Sequence, residues 1–233
     1  MNKLFGTSST QQETGEHWLT VSDLMAGLMI VFLFIAIVFM MMTQKENAKI
    51  KDVAVAYQQN QVAIYESLEK EFRDDLKKWG ATIDKQTLAF NFLSPDVLFA
   101  NNETKLSAAY KDILNDFFPR YIKVLKPYRD SLDEIRVEGH TSSVGLRGST
   151  KEQAYFYNMK LSQGRTRSVL EYCYNLMPKE AEWIRQNIAA VGFSSSRLIM
   201  KKNGAEDPKK SRRVSFRAIT NADIQIKRIL ESN

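Results

Sequence analysis

Nineteen consecutive residues, Leu24 to Met42, carry no charged or strongly polar side chain. At a rise of about 1.5 Å per residue such a run is roughly 28 Å long as a helix, close to the thickness of a bilayer core. An amphipathic helix of a water-soluble domain would show a polar residue every third or fourth position, and this run shows none. The sequence therefore predicts a membrane span over 18–43. One carboxylate, Asp23, stands at its entrance. A charge at that depth costs about 3 kcal/mol on insertion scales and usually faces a protein interior or an aqueous path.

A cleaved signal peptide would also be apolar, but its flanks would differ. Lys3 is the only Lys or Arg before the span, Glu13 and Glu16 accompany it, and the run ends in Met40-Met41-Met42 with no small-residue cleavage site. An uncleaved anchor is expected. Trp18 lies five residues before Asp23, and an aromatic residue of that kind belongs at the membrane–water boundary. That places Asp23 inside the apolar zone, as an ion carrier. The competing reading is a helix cap in the headgroup region.

Beyond the span the chain divides by charge. Residues 1–83 hold 8 basic and 10 acidic side chains, and residues 84–233 hold 25 and 17. The distal part, formally +8, suits an anionic partner. Residues 1–17, rich in Ser, Thr, Gln and Glu, are expected as a loosely ordered tail. Residues 44–79 lack Pro and Gly, which permits one long helix. Ile50, Val53, Tyr57, Ile64, Leu68, Phe72, Leu76 and Trp79 recur near the a and d spacing of a coiled coil. Such a stripe predicts a parallel homodimer through a linker at 44–83, or else a single amphipathic helix lying on the distal domain or the membrane. Gly80 ends the helix.

Residues 84–222 alternate between two periods. Strands are expected at 87–93, 134–140, 188–193 and 212–219, with helices at 104–125, opening on Thr104 or Ser107, and 151–177. The order describes an α+β domain, an α/β sandwich with a mixed sheet. Residues 223–233 form a short tail. The basic run at 209–216 reads as a solvated strand edge. It lacks the aromatic platform or recognition helix of a nucleic-acid binder, so no nucleic acid is expected. Two histidines and one cysteine, Cys173, do not make a zinc site. No phosphate-binding loop or nucleophile–base pair stands out, so neither cofactor nor enzymatic activity is expected.

Two blocks can converge on one site: "VEGHTSSVG" at 137–145, and a helix on which Tyr157, Asn158, Leu161 and Arg165 share a face. Asn158 can donate and accept, and Arg165 presents a fork that matches a carboxylate. Taken alone, this pattern describes an ordinary surface helix with a salt bridge.

The blocks "GHT", "YNMKLSQGRTRSV", "IAAVGFSSSRL" and "SRRVSF", in that order, resemble the OmpA-like peptidoglycan-binding family over about residues 88–220. "LFANNETKLS" at 98–107 resembles the opening segment of that family. The span resembles that of MotB-type stator subunits, in which one helix begins with an ion-carrying aspartate. Within this set the chain is most similar to the MotB-like subunits of Zorya anti-phage systems. The segment "LRGSTKEQAYF" at 146–156 looks like an insertion lengthening the loop before the ligand-binding helix.

The resemblance implies roles. Asp23 would carry the ion, a proton or alternatively sodium, with no bound cofactor. Arg165 would grip the free carboxylate of a peptidoglycan stem peptide, with Tyr157, Asn158, Leu161 and Thr141 around it. The family's aspartate after G-x-T, which helps to fix the ligand's ammonium, is Ser142 here. Two copies of the chain would sit inside a ring of five MotA-like subunits in the bacterial inner membrane, N-terminus in the cytoplasm and OmpA-like domain in the periplasm. Lys45, Lys49 and Lys51 after the span, against Lys3 before it, favour the opposite orientation by the positive-inside rule. The resemblance overrides that short count. Alternative readings are a flagellar MotB-type stator subunit and a passive OmpA-like envelope anchor.

Overall fold

A computed structural model of the chain describes residues 10–93, 95–100 and 102–221. The expected C-terminal tail at 223–233 and the first nine residues of the N-terminal tail lie outside them. Helix α1 runs from Thr10 to Trp79, so residues 10–17 are helical where a loose tail is expected. Gln11, Gln12 and Glu13 are good helix formers, and no proline interrupts them. The chain forms two compact units, Met1–Asp52 and Val53–Asn233. Within the first, every described side chain from Thr20 to Lys49 faces outward. The helix is long and apolar enough there to cross a membrane.

The second unit is an α+β sandwich. Its sheet holds β1 (Ala81–Ile83), β2 (Ala89–Phe92), β3 (Leu132–His140), β4 (Ile188–Gly192) and β5 (Arg213–Thr220), in the order β1-β2-β5-β3-β4. Only the β3–β4 pair is parallel, so the sheet is mixed. The helices are α2 (Pro95–Leu98), α3 (Ala108–Leu125), α4 (Lys151–Leu176), α5 (Ala181–Asn187) and α6 (Pro208–Ser211). Of the two expected caps for α3, Ser107 serves: its hydroxyl accepts from the Tyr110 N–H at 3.0 Å.

One face of the sheet carries the core. Phe90, Phe92, Val137 and Phe216 are buried there with Phe117 and Tyr121 of α3, and the Phe90 and Phe117 rings lie 4.6 Å apart. The distal part of α1 joins this core. Ile64, Leu68 and Phe72 are fully buried, and Phe72 lies 5.2 Å from Phe90 and 5.3 Å from Phe117. Each such burial contributes about 1.5–3 kcal/mol. Arg120 of α3 fastens the same segment, pairing with Glu71 at 2.8 Å and Asp75 at 3.0 Å while its guanidinium lies over Phe72. The expected dimer seam is therefore corrected at Ile64, Leu68 and Phe72, which are buried in the chain's own domain, with Leu76 and Trp79 partly buried against the same core.

A second correction concerns the basic run. β5 lies between β2 and β3, and Val214, Ser215 and Phe216 are buried, so it is a central strand and not a solvated edge. Its alternation reports two faces, one against the helices and one polar. Cys173 is fully buried in α4, and burial pushes its thiol pKa up.

Helix α4 sits directly on β3 and β4 because each strand has a glycine near its end, Gly139 and Gly192. A Cβ on Gly139 would stand 2.7 Å from the Ser162 carbonyl oxygen, and one on Gly192 2.6 Å from the Gln163 nitrogen. Both obstacles are backbone. Gly139→Ala is expected to cost about 1–3 kcal/mol by forcing strand and helix apart, as read by chemical denaturation against the wild type.

The opposite face of the sheet is polar and holds a buried charge cluster. Glu138 accepts from His140 Nε2 at 3.2 Å, with Arg197 at 3.7 Å and Arg217 at 3.8 Å. His140 stacks on Phe193, and Arg197 covers that ring. Burial alone would raise the Glu138 pKa; the His140 hydrogen bond and the charges around it outweigh burial and hold it low. The His140 pKa is lowered first by burial and further by Arg213 and Arg197, against the pull of Glu138. Both groups bind protons less readily folded than unfolded, so stability falls as pH falls. The expected loss begins below about pH 6.5 through His140 and deepens below about 4.3 through Glu138. Thermal unfolding in detergent checks this: Tm should drop between about pH 7 and 5, and His140→Asn should flatten that part of the curve.

Candidate functional site

The end of β3 and the first half of α4 face each other across a cleft of about 260 Å³. All six residues expected at the ligand site line it: Thr141 and Ser142 from the strand end, and Tyr157, Asn158, Leu161 and Arg165 from the helix. The helix is fixed at its start by a capping box. The Thr150 hydroxyl accepts from the Gln153 N–H at 3.2 Å, and the Gln153 side chain accepts from the Thr150 N–H at 2.9 Å. Of the insertion-like segment 146–156, only the part before Lys151 is loop. Residues 151–156 belong to α4, in line with the helix expected at 151–177, so the segment lengthens the loop only up to Thr150.

Two of the lining side chains are held in place by the protein itself, Asn158 and Arg165. Asn158, buried, donates its amide N–H groups to the carbonyls of Ser142 at 3.1 Å and Val144 at 3.0 Å. It shapes the loop as well as lining the cleft. Arg165 is 9 % exposed. Its Nε donates to the Glu103 carbonyl at 2.9 Å, and its guanidinium lies 4.8 Å from the Phe99 ring centre. The plane of the fork is thus set before any ligand arrives. Thr141 donates its backbone N–H to Ser194 at 2.9 Å. Its hydroxyl is buried and hydrogen-bonds to no described residue.

Ser194 is a residue that sequence reading missed. It sits after β4 with φ of +50°, a conformation uncommon outside glycine. Its N–H donates to Ser162 and its hydroxyl to the Tyr155 carbonyl. One turn thereby ties β4, the end of β3 and α4 together beneath the cleft. Asn102, Arg147 and Arg212 also line the site unforeseen. A signal for Arg212 was present in "SRRVSF", but nothing in a basic run says which of two adjacent arginines turns toward a cleft. Its neighbour Arg213 donates to the carbonyls of Ser211 and Arg197 instead.

Asp23 belongs to the other unit. It is exposed along α1. One turn on, nothing stands within 4 Å of where a Gly27 Cβ would be.

Comparison with known proteins identifies the family of this chain. The OmpA family model matches residues 98–215, which include the cleft. Zorya protein ZorB of Escherichia coli strain Crooks is 49% identical over 234 aligned residues, covering 99% of this chain and 100% of that protein. Among solved structures, a MotB-like protein of Desulfovibrio vulgaris is 17% identical, covers 73% of this chain and 94% of its own, and superposes with a TM-score of 0.49. The periplasmic domain of Helicobacter pylori MotB is 16% identical, covering 65% and 89%, with a TM-score of 0.45. With half its length matched by the family model and nearly all of it aligned to ZorB, the chain belongs to the OmpA family and, within it, to the relatives of Zorya protein ZorB.

Proposed function

We propose that this chain is the ion-carrying, cell-wall-anchored subunit of an ion-driven motor in the bacterial inner membrane, acting in anti-phage defence. The observation that carries the reading is the full-length relationship to ZorB, joined to an acid at the head of an otherwise uncharged span. The N-terminus lies in the cytoplasm and the OmpA-like domain in the periplasm. Two copies stand inside a ring of five copies of a MotA-like partner, ZorA. Their pairing runs through the part of α1 before Ile64, since Ile64, Leu68 and Phe72 are buried in each chain's own domain.

Asp23 takes up a proton from the periplasmic side and releases it inward. Each protonation removes a charge that the partner ring faces, and each release restores it, so the ring is driven step by step. Motion of the ring requires that this subunit stay fixed. The cleft between β3 and α4 provides the fixing point by binding peptidoglycan stem peptides through Arg165 and its neighbours.

The test is plaque formation on cells carrying the complete operon, with this chain present or deleted in frame. Protection that needs the chain, in cells whose swimming is unaffected by it, supports the defence reading. Lost swimming without lost protection would assign the chain to a flagellar-type stator instead.

A further inference from the structure

Residues 197–213, between β4 and β5, hold seven basic side chains and two acidic ones. They form a closed hairpin. Met200 and Glu206 are bridged, and the Lys201 N–H donates to the Ala205 carbonyl at 2.8 Å. Gly204 makes the turn with φ of +79°, which glycine adopts without steric cost. At the base the Asp207 N–H donates to the Ile199 carbonyl at 2.7 Å, and the Ile199 N–H donates to the Ser211 hydroxyl at 2.9 Å.

Both acids of the hairpin are engaged in holding it. Glu206 accepts from the Ser143 backbone N–H at 3.1 Å and from the Ser143 hydroxyl. Asp207 caps α6, accepting from the Lys210 backbone N–H at 3.3 Å. The arginines are engaged as well: Arg197 covers Phe193, Arg213 donates to carbonyls, and Arg212 lines the cleft. The lysines differ. Lys201, Lys202, Lys209 and Lys210 are all exposed, and none forms an ion pair with a described residue. Their setting distinguishes them from scattered surface lysines. The hairpin joins the cleft at two points, through the Glu206 contact with Ser143, next to Ser142, and through α6, which leads into Arg212.

We propose that the hairpin is a second, electrostatic contact with the cell wall, in which these four lysines draw in carboxylates of stem peptides neighbouring the one held in the cleft. The proposal rests on the peptidoglycan reading and extends it from one stem to several. Peptidoglycan is a polyanion whose stems repeat along each glycan strand, so a chain seated on one stem meets others at high local concentration. A flexible ammonium with rotatable donors suits carboxylates whose spacing varies, where a planar fork would demand one geometry. An exposed ion pair contributes little by itself and is weakened by salt. The contact is therefore collective, strong only on the polymer and dependent on ionic strength.

Co-sedimentation of the full-length chain in detergent with purified sacculi tests this, beside calorimetry with a soluble muropeptide carrying one stem. The variant combines Lys201→Gln, Lys202→Gln, Lys209→Gln and Lys210→Gln, and thermal unfolding checks its fold. It is expected to bind sacculi about tenfold more weakly at about 50 mM salt and to lose most of the wild type's salt dependence. Its muropeptide affinity is expected to stay within about twofold. The two double variants, at Lys201 with Lys202 and at Lys209 with Lys210, should each lose about threefold on sacculi. Unchanged sacculus binding overturns the proposal and leaves anchoring by the cleft standing. An equal loss on the single muropeptide also overturns it, since the lysines would then belong to the one-stem site. Duplex DNA held through the same lysines as tightly as sacculi would make the hairpin a general polyanion surface, and its assignment to the wall would fall. If the wild type binds neither sacculi nor muropeptide, the anchoring reading falls and this one with it.

Discussion

Asp23→Asn is expected to raise plaque counts on operon-bearing cells to those of cells lacking the operon. Asparagine has nearly the same shape and can still hydrogen-bond, but it cannot ionise. An intramembrane carboxylate costs about 3 kcal/mol to insert, so the amide enters the bilayer at least as easily. Normal amounts of the variant in the membrane fraction, with protection lost, would therefore isolate the ionisable proton as the working part. Asp23 also makes no contribution to a folded core, since it is exposed in its own unit. Equal protection by both chains would make Asp23 a helix cap, and the motor reading would fail.

The second large effect is expected at the cleft. Arg165→Lys keeps the positive charge but replaces a planar fork with a point charge. Lysine cannot hold the Glu103 carbonyl and grip a carboxylate in two-pronged fashion at once. A charge-assisted hydrogen bond contributes about 1.5–3 kcal/mol, so binding to purified cell-wall sacculi should weaken about ten- to hundredfold. Co-sedimentation of the full-length chain reads this directly, and thermal unfolding of the same samples shows whether the fold has survived. Wild-type binding by a folded lysine variant would reduce Arg165 to its packing against Phe99 and Glu103.

The candidate site is built from two contiguous blocks, and it was the resemblance to the OmpA-like family that marked them as a site; the pattern alone describes an ordinary surface helix. Thr141 and Ser142 follow a strand, and periodicity puts Tyr157, Asn158, Leu161 and Arg165 on one helix face. The other cations were not legible. Arg147 is brought in by the loop, and Arg212 by the residue just before β5. Nothing local distinguishes Arg212 from Arg213, which turns to the carbonyls of Ser211 and Arg197. The set of residues lining the cleft is drawn from segments far apart in the chain.

The sequence by itself determined the span, the acid at its head and the order of strands and helices. These rest on hydrophobicity and on periods of 2 and 3.6, which are properties of neighbours along the chain. Tertiary structure decided what those periods leave open. The stripe on α1 says that something covers Ile64, Leu68 and Phe72, but a second copy and the chain's own sheet offer the same apolar chemistry. The alternation in β5 says that it has two unlike faces, but its central place depends on which strands pair with its edges. β1 has only three residues, too few to show any period, and exists because β2 offers it a free edge. In each case burial free energy depends on area removed from water and not on which segment removes it, so the covering partner is settled only when the whole chain is packed.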